Sequence, residues 1–293
     1  MIVHSGKDLG GGLEEFRAAL ADLGHGDPPW YEVSKAKLVP KKVRKLVEDD
    51  GVERIVVWGG DGSIRRCIHT IVDKGYDVSV GIMPAGTSNL LATNLGIPVE
   101  LQEAAHIAVA GEPRPIDVGK INGDYFAVMA GTGFDAMMIR DADERGLKDR
   151  FGRLGYVWAG VRNIGMSPAS VEVEVDGERW YQGDASGVLV ANVGNVLGGL
   201  QAFPNASPTD GRLDVGVIQA RTKLQWLRLA SSIALHRVER SPLAEMTTAE
   251  TATITLDRTL PWEVDGGDRD RETRYKVRCI PGAIRVAQPC EEP

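Results

Sequence analysis

The chain has 293 residues, 43% of them hydrophobic and 26% charged, with a formal net charge of −7. That length suits two domains or one large one with room for a core, and the acidic balance excludes broad nucleic-acid binding, which needs a basic excess. Three cysteines, Cys67, Cys279 and Cys290, are odd in number and lack metal-type spacing, so reduced thiols in the cytoplasm are the expectation. No stretch approaches the roughly 18 apolar residues of a membrane span, and no signal peptide opens the chain. Peripheral contact with the inner membrane surface stays open.

The opening MIVHSGK holds only Ile2 and Val3 before a turn-like Ser5-Gly6. A first strand is therefore a stub, and a truncated or misassigned start is one reading of it. Glu14–Leu23 and Pro40–Glu48 have helical spacing, the second with a proline suited to the first turn. RIVVW, Arg54–Trp58, is a β-branched run of the kind buried on both faces of a parallel sheet. Helical spacing returns over Ile64–Lys74. Val78–Met83 is a second buried strand, ended by Pro84, and helices follow over Leu90–Leu95 and Leu101–Ala110. This alternation predicts a doubly wound α/β domain over residues 1–115.

Near Pro113-Arg114-Pro115 the pattern changes. VEVEVDGERWY alternates apolar and charged residues around Asp176-Gly177, a hairpin signal. GVLVANVG, RLDVGVI, TATITLD, YKVRCI and AIRVAQ add short strands, and one helix, Lys223–His236, interrupts them. Residues 116–280 are thus predicted to be a mainly antiparallel β-sandwich. The last strand follows a proline-glycine turn, and it is expected to return to the first domain over about residues 281–293. Asp265–Thr273 is the most loop-like segment outside the termini.

Two loops carry chemistry. WGGDGS ends a buried strand in Gly59, Gly60, Asp61, Gly62 and Ser63 and feeds a helix, offering backbone N–H groups and a helix dipole to an anion. Glycines let the chain approach a phosphate closely, and Asp61 falls where strands of such sheets bind ligands. A carboxylate there repels phosphate unless a metal intervenes, so Mg²⁺–nucleotide fits better than bare phosphate. The second loop, MPAGTSNLL, places Thr87, Ser88 and Asn89 as caps or ligand hydrogen-bonders. Alone, the first is also a tight turn and the second a capping motif. Together on neighbouring strands they share one crevice, and a nucleotide site becomes the better reading.

Gly59-Gly60-Asp61-Gly62-Ser63, then Pro84-Ala85-Gly86-Thr87-Ser88-Asn89, resemble the diacylglycerol kinase catalytic family, which includes bacterial lipid kinases and sphingosine kinases. The likeness extends to DVGKINGDYFAVMAGTGFDA, FPNASPTDGRLDVGVI and VDGG…IPGAIRV, and so covers nearly the whole chain. It implies ATP-dependent phosphorylation of the hydroxyl of diacylglycerol or a related long-chain lipid. It also implies ATP held by Ser5, Gly6, Lys7, Ser34, the glycine loop, Gly86, Thr87 and Asn89. Asp61 would then serve the transfer centre with Mg²⁺, since phosphoryl transfer is mostly positioning and charge neutralisation. The resemblance places the lipid between the domains and admits a homodimer. It assigns a structural Mg²⁺ to Asp210 with the carbonyls of Ser207 and Arg212; by composition alone, Asp210-Gly211 is a plain turn.

The pattern breaks in three places. The family's Asp-Gly-Glu, whose Glu is read as general base, is here Asp265-Gly266-Gly267, followed by Asp268. Asp268 is therefore the candidate base, or a solvated acid facing Arg269, while Asp265 occupies the turn. The family's Asn-Glu after the glycine loop is Arg65-Arg66, which could bind phosphate or an acidic partner, and its Asp after the loop asparagine is Leu90. The stretch Arg145–Asn163 sets Lys148, Arg150 and Arg153 beside Phe151, Tyr156 and Trp158. It reads either as an amphipathic surface helix or as a contact for anionic lipid head groups. His4, His25, His69, His106 and His236 form no metal-like pair. Two alternatives stand beside the lipid kinase: a non-catalytic nucleotide-binding protein on the same scaffold, and an NAD kinase, which shares the glycine loop.

Overall fold

The computed structural model describes residues 1–133, 168–196 and 200–290. These fall into two units, Met1–Ile116 with Gly282–Pro293, and Asp117–Pro281. The first begins with β1 (Ile2–His4), α1 (Gly12–Asp22), β2 (Tyr31–Val33), α2 (Val39–Glu48) and β3 (Arg54–Gly59). It continues with α3 (Asp61–Lys74), β4 (Ser79–Pro84), α4 (Leu90–Asn94) and α5 (Leu101–Ala110). The strands pair in parallel in the order β4-β3-β1-β2, with Ile2 opposite Tyr31 and Val57, and Ile55 opposite Val80.

Helices cover this sheet, which is why β3 and β4 are near-continuous apolar runs. Val3, Val56, Trp58 and Met83 pack against Phe16 and Leu20 of α1 and Ala104, Ala105 and Ala108 of α5. The helices α2 and α3 pack on each other and on β1 and β3. The approach of α5 to β4 depends on Gly81, where an added Cβ would lie 2.2 Å from the Ala108 carbonyl oxygen. Arg54 fastens the far end of α5: its guanidinium donates to the carbonyls of Val109 at 2.5 Å and Gly111 at 3.1 Å. A cation at a helix C-terminus complements both the free carbonyls and the dipole.

The second unit is built from β5 (Glu112–Ile121), β6 (Asp124–Phe126), β7 (Met129–Gly133), β8 (Ala169–Val175), β9 (Glu178–Ala185) and β10 (Gly187–Ala191). It goes on through β11 (Asn195–Val196), β12 (Leu200–Gln201), β13 (Leu213–Ile218), α6 (Lys223–Ala234), β14 (Ala244–Ala249), β15 (Thr251–Val264) and β16 (Gly267–Gln288). Its strands run in the order β14-β13-β10-β7-β15-β16. β15 changes partner along its length: Ala252–Leu256 pair with β8, Trp262–Val264 pair with β7, and the register against β16 shifts between Thr255 and Leu260. An irregularity of this kind bends a strand so that it serves both layers of a sandwich. Val173, Val190, Val215, Ile254, Trp262 and Tyr275 fill the core.

Several sequence expectations change here. α3 starts at Asp61, three residues before the apolar spacing, because Ser63 and Ile64 already donate to the Gly60 carbonyl, at 2.9 and 3.2 Å. The expected loop Asp265–Thr273 is the β15–β16 hairpin. Asp265 and Gly266 have φ of +45° and +72° and join Val264 to Gly267, the backbone of a type I′ turn. Its polar flanks, Asp268 to Arg274, hid it. Pro281-Gly282 is not a turn between two strands; β16 runs through it, and Arg285 and Val286 then pair in parallel with Ser79 and Val80. β14 was not foreseen. Gly81→Ala should lower stability by about 1–3 kcal/mol through overpacking against α5, measured as a fall in melting temperature.

Candidate functional site

The C-terminal ends of four adjacent parallel strands carry the sequence-predicted site residues of the first unit. Ser5, Gly6 and Lys7 follow β1, Ser34 follows β2, Gly59 to Ser63 link β3 to α3, and Gly86 to Asn89 link β4 to α4. The open ends of such strands form a crevice, because the chain leaves each for a helix on one face or the other. Ser5, Gly6, Ser34, Gly62 and Thr87 are exposed there, and Lys7 is half-buried.

Short-range chemistry locks these turns together. The Ser5 N–H donates to the Val33 carbonyl at 3.0 Å, and Gly6 N–H to His4 Nδ1 at 3.2 Å. Burial, and then the Lys7 charge, hold the His4 imidazole below its ordinary pKa, which favours the neutral ring that accepts this bond. Trp58, buried in β3, donates its indole N–H to the Lys7 carbonyl at 2.9 Å. The glycine loop and the second loop meet backbone to backbone: an added Cβ on Gly86 would lie 2.5 Å from the Gly60 Cα. Side chains larger than hydrogen at either position would push the loops apart.

Asp61 ties the same junction by its carboxylate. It is the first residue of α3, and its Oδ1 accepts the Leu90 N–H at 2.7 Å, at the start of α4. Burial raises its pKa, while backbone amides, led by Leu90, pull the other way. Two helix N-termini thus converge on one carboxylate and offset part of the cost of its burial. The partner is a main-chain N–H, so leucine at position 90 serves the contact as well as any residue with an amide.

Three residues take other places than expected of ligand contacts. Ser63 is 3% exposed and packs beneath Gly59. Asn89, at φ +48°, folds its amide back on its own loop, accepting from Gly86 N–H at 2.8 Å and donating to the Pro84 carbonyl at 2.8 Å. Arg65, one turn along α3 from Gly62, is only 7% exposed. Within the glycine loop, the residue at the open mouth is Gly62, around which an added Cβ would meet nothing within 4 Å.

In the second unit, Asp265 is committed to structure. Its Oδ2 accepts the Ala127 N–H at 2.9 Å and its Oδ1 those of Val128 and Met129, at 3.0 and 2.9 Å. Glu263 is fully buried and its Oε2 accepts the Gly266 N–H at 2.6 Å. Asp268 stands exposed just beyond the turn. The Arg269 guanidinium pairs with the Asp124 carboxylate at 2.5 Å and donates to the Asp268 main-chain carbonyl at 2.9 Å.

The turn before β13 supplies hard oxygen. Asp210 Oδ1 accepts the Arg212 N–H at 2.9 Å, and Asp117 Oδ2 accepts that of Gly211 at 2.7 Å. Nearby Asp214 has its carboxyl pushed up to about 6 by burial and then by the Asp210 charge. The Mg²⁺ that the resemblance assigns to Asp210 with the carbonyls of Ser207 and Arg212 would relieve that repulsion, although among the described residues no group of three or more carboxylate, histidine or cysteine side chains gathers as a metal site. Sequence reasoning had no signal for the Asp214 contribution, which depends on burial. Lys148, Arg150 and Arg153 lie outside the described residues.

Comparison with known proteins accounts for both units. Residues 5–121 match the family described as "Diacylglycerol kinase catalytic domain", and residues 128–288 match "YegS C-terminal NAD kinase beta sandwich-like domain". A "Probable lipid kinase YegS-like" of Klebsiella pneumoniae is 29% identical over 83% of this chain and 80% of that protein. A diacylglycerol kinase of Bacillus subtilis is 32% identical over 60% of this chain and 58% of its own length. The solved structure of a diacylglycerol kinase from Bacillus anthracis shares the fold, with a TM-score of 0.80, 24% identity, and coverage of 98% of this chain and 95% of that one. If Asp210 holds a cation, Mg²⁺ should raise the melting temperature of the wild type, and Asp210→Ala should abolish that response.

Proposed function

The chain belongs to the diacylglycerol kinase catalytic family, and we propose that it transfers the γ-phosphoryl group of Mg²⁺–ATP to the hydroxyl of diacylglycerol or a related long-chain lipid. The observation that carries this reading is the convergence of four strand-end turns, with the first turn of α3 and Gly62 at their open mouth. A helix N-terminus there suits a phosphate. Lys7 adds positive charge in the turn after the neighbouring β1, and the exposed hydroxyls of Ser5, Ser34 and Thr87 offer hydrogen bonds to the nucleotide. Asn89 and Ser63 act at one remove, by holding the loops in place.

Asp61 is the carboxylate that would hold the nucleotide's Mg²⁺, since it sits at the loop junction. The ion supplies neutralisation of phosphate charge. Asp268 is the acceptor proposed for the lipid hydroxyl proton. Asp265 spends both oxygens on the 127–129 backbone and Glu263 is fully buried, whereas Asp268 is exposed at the same hairpin. The hydroxyl oxygen bonds to the γ-phosphorus as the bond to the β,γ-bridging oxygen breaks, ADP leaves, and the proton passes to the Asp268 carboxylate. Gly267, in place of the family Glu, favours a second reading, a nucleotide-binding protein without transfer.

The two steps are separable by experiment. Gly62→Val should leave the melting temperature unchanged, because the site has space, yet weaken ATP binding by calorimetry tenfold or more; unchanged affinity would remove α3 from the nucleotide site. Radiolabelled ATP should label diacylglycerol in a panel that also contains sugars and NAD. Asp268→Asn should then cut turnover by roughly a hundredfold with ATP affinity intact. ATP binding with no labelled product in any arm would leave the second reading.

A further inference from the structure

Five large apolar side chains are conspicuously exposed among the described residues: Leu38, Val99, Leu224, Leu227 and Leu235. Three of them share the α6 segment, at 58%, 64% and 65% exposure. At 100° per residue, positions 224, 227, 231 and 235 fall on one stripe of the helix. The opposite stripe is also apolar. Leu229 is buried there, and Trp226 and Ile233 pack with it against Val238 and Ala220. One apolar face therefore anchors α6 to the sandwich, and a second is turned outward.

An outward apolar face on a helix is costly in water and asks for a partner. The helix is held rigidly enough to present one. Thr222 Oγ1 accepts the Gln225 N–H and the Gln225 side chain accepts the Thr222 N–H, at 3.3 and 3.0 Å, closing a capping box.

The charge around the face is opposite to that of the chain. From Arg221 to Arg240 there are five lysines and arginines against one acid, Glu239, in a protein of net charge −7. Arg221 is paired with Asp184 at 3.3 Å. Among the described residues no carboxylate pairs with Lys223, Arg228, Arg237 or Arg240, and Lys223, Arg228 and Arg237 are exposed. Exposed leucines ringed by unpaired cations on one rigid helix match the needs of an amphipathic segment lying in a membrane interface. A second copy of this chain would bring the same cations against each other, so charge complementarity favours anionic lipid over self-association.

We infer that the outward face of α6, through Leu224, Leu227 and Leu235 with Lys223, Arg228 and Arg237, docks the protein on an anionic lipid bilayer. This deepens the proposed function, whose substrate resides in such a bilayer, and rests on that reading only for its purpose.

The test is co-flotation of the full chain with vesicles, without ATP, so that its outcome is independent of whether phosphoryl transfer occurs. Wild type should partition onto phosphatidylcholine vesicles containing phosphatidylglycerol, far less onto phosphatidylcholine alone, and should be released by salt. Leu224→Ser with Leu227→Ser should lower partition tenfold or more. Lys223→Glu with Arg228→Glu should do the same, since each basic residue near an anionic surface contributes about fivefold. These exposed charges keep the idea testable should the leucine variant misfold, which its melting curve would reveal. Absence of wild-type binding, or wild-type partition in a folded variant of either kind, overturns the inference. So does a wild-type dimer that the leucine variant splits while vesicle binding persists.

Discussion

The candidate site depends on one close approach, the contact between the backbones of Gly60 and Gly86. A Cβ at Gly86 would lie 2.5 Å from the Gly60 Cα, and one at Gly60 would lie 3.0 Å from the Gly86 Cα, so the loops meet this closely because both positions are glycine. Asp61 and Asn89 then seal the junction, one by taking the Leu90 N–H and the other by closing the Pro84–Leu90 turn on itself. With the loops fixed, the first turn of α3 has a defined direction and Gly62 is left outward. Glycines in such a loop thus have different physical duties. Gly60 is needed for packing between turns, whereas Gly62 leaves room in front of the helix.

The second unit rests on a comparable division of labour among acids. Three carboxylates lie within six residues of the β15–β16 hairpin, and burial and hydrogen bonding separate their roles. Asp265 holds the 127–129 bend through three main-chain N–H groups, Glu263 turns inward to Gly266, and Asp268 faces solvent. A carboxylate saturated by backbone donors is poorly suited to accept a substrate proton. The hairpin therefore presents one candidate base rather than three.

The α6 face adds a constraint of another sort. On the inferred docking, the energy of reaching a bilayer would come from the exposed surface of this helix. Charge at the helix and apolar area between the charges would then act together, since stable membrane attachment takes more than one weak signal.

The sequence by itself determined the alternation of strand and helix in the first unit, the β-rich second unit, the two glycine loops and the family to which they belong. These are local properties: apolar period, turn-forming residues and the φ preferences of glycine all act within a few neighbours. It did not reveal the hairpin at Asp265-Gly266, although the same Asp-Gly pair was legible at Asp176-Gly177, because strongly polar flanks masked the strands. It also left Ser63, Asn89 and Arg65 as candidate ligand contacts. Only the tertiary structure decided that these three are buried or turned back on the loop, and that Asp61 reaches Leu90, 29 positions along the chain. Such contacts join segments that have no common period, so their partners are chosen by how strands and helices pack, which residue spacing does not encode.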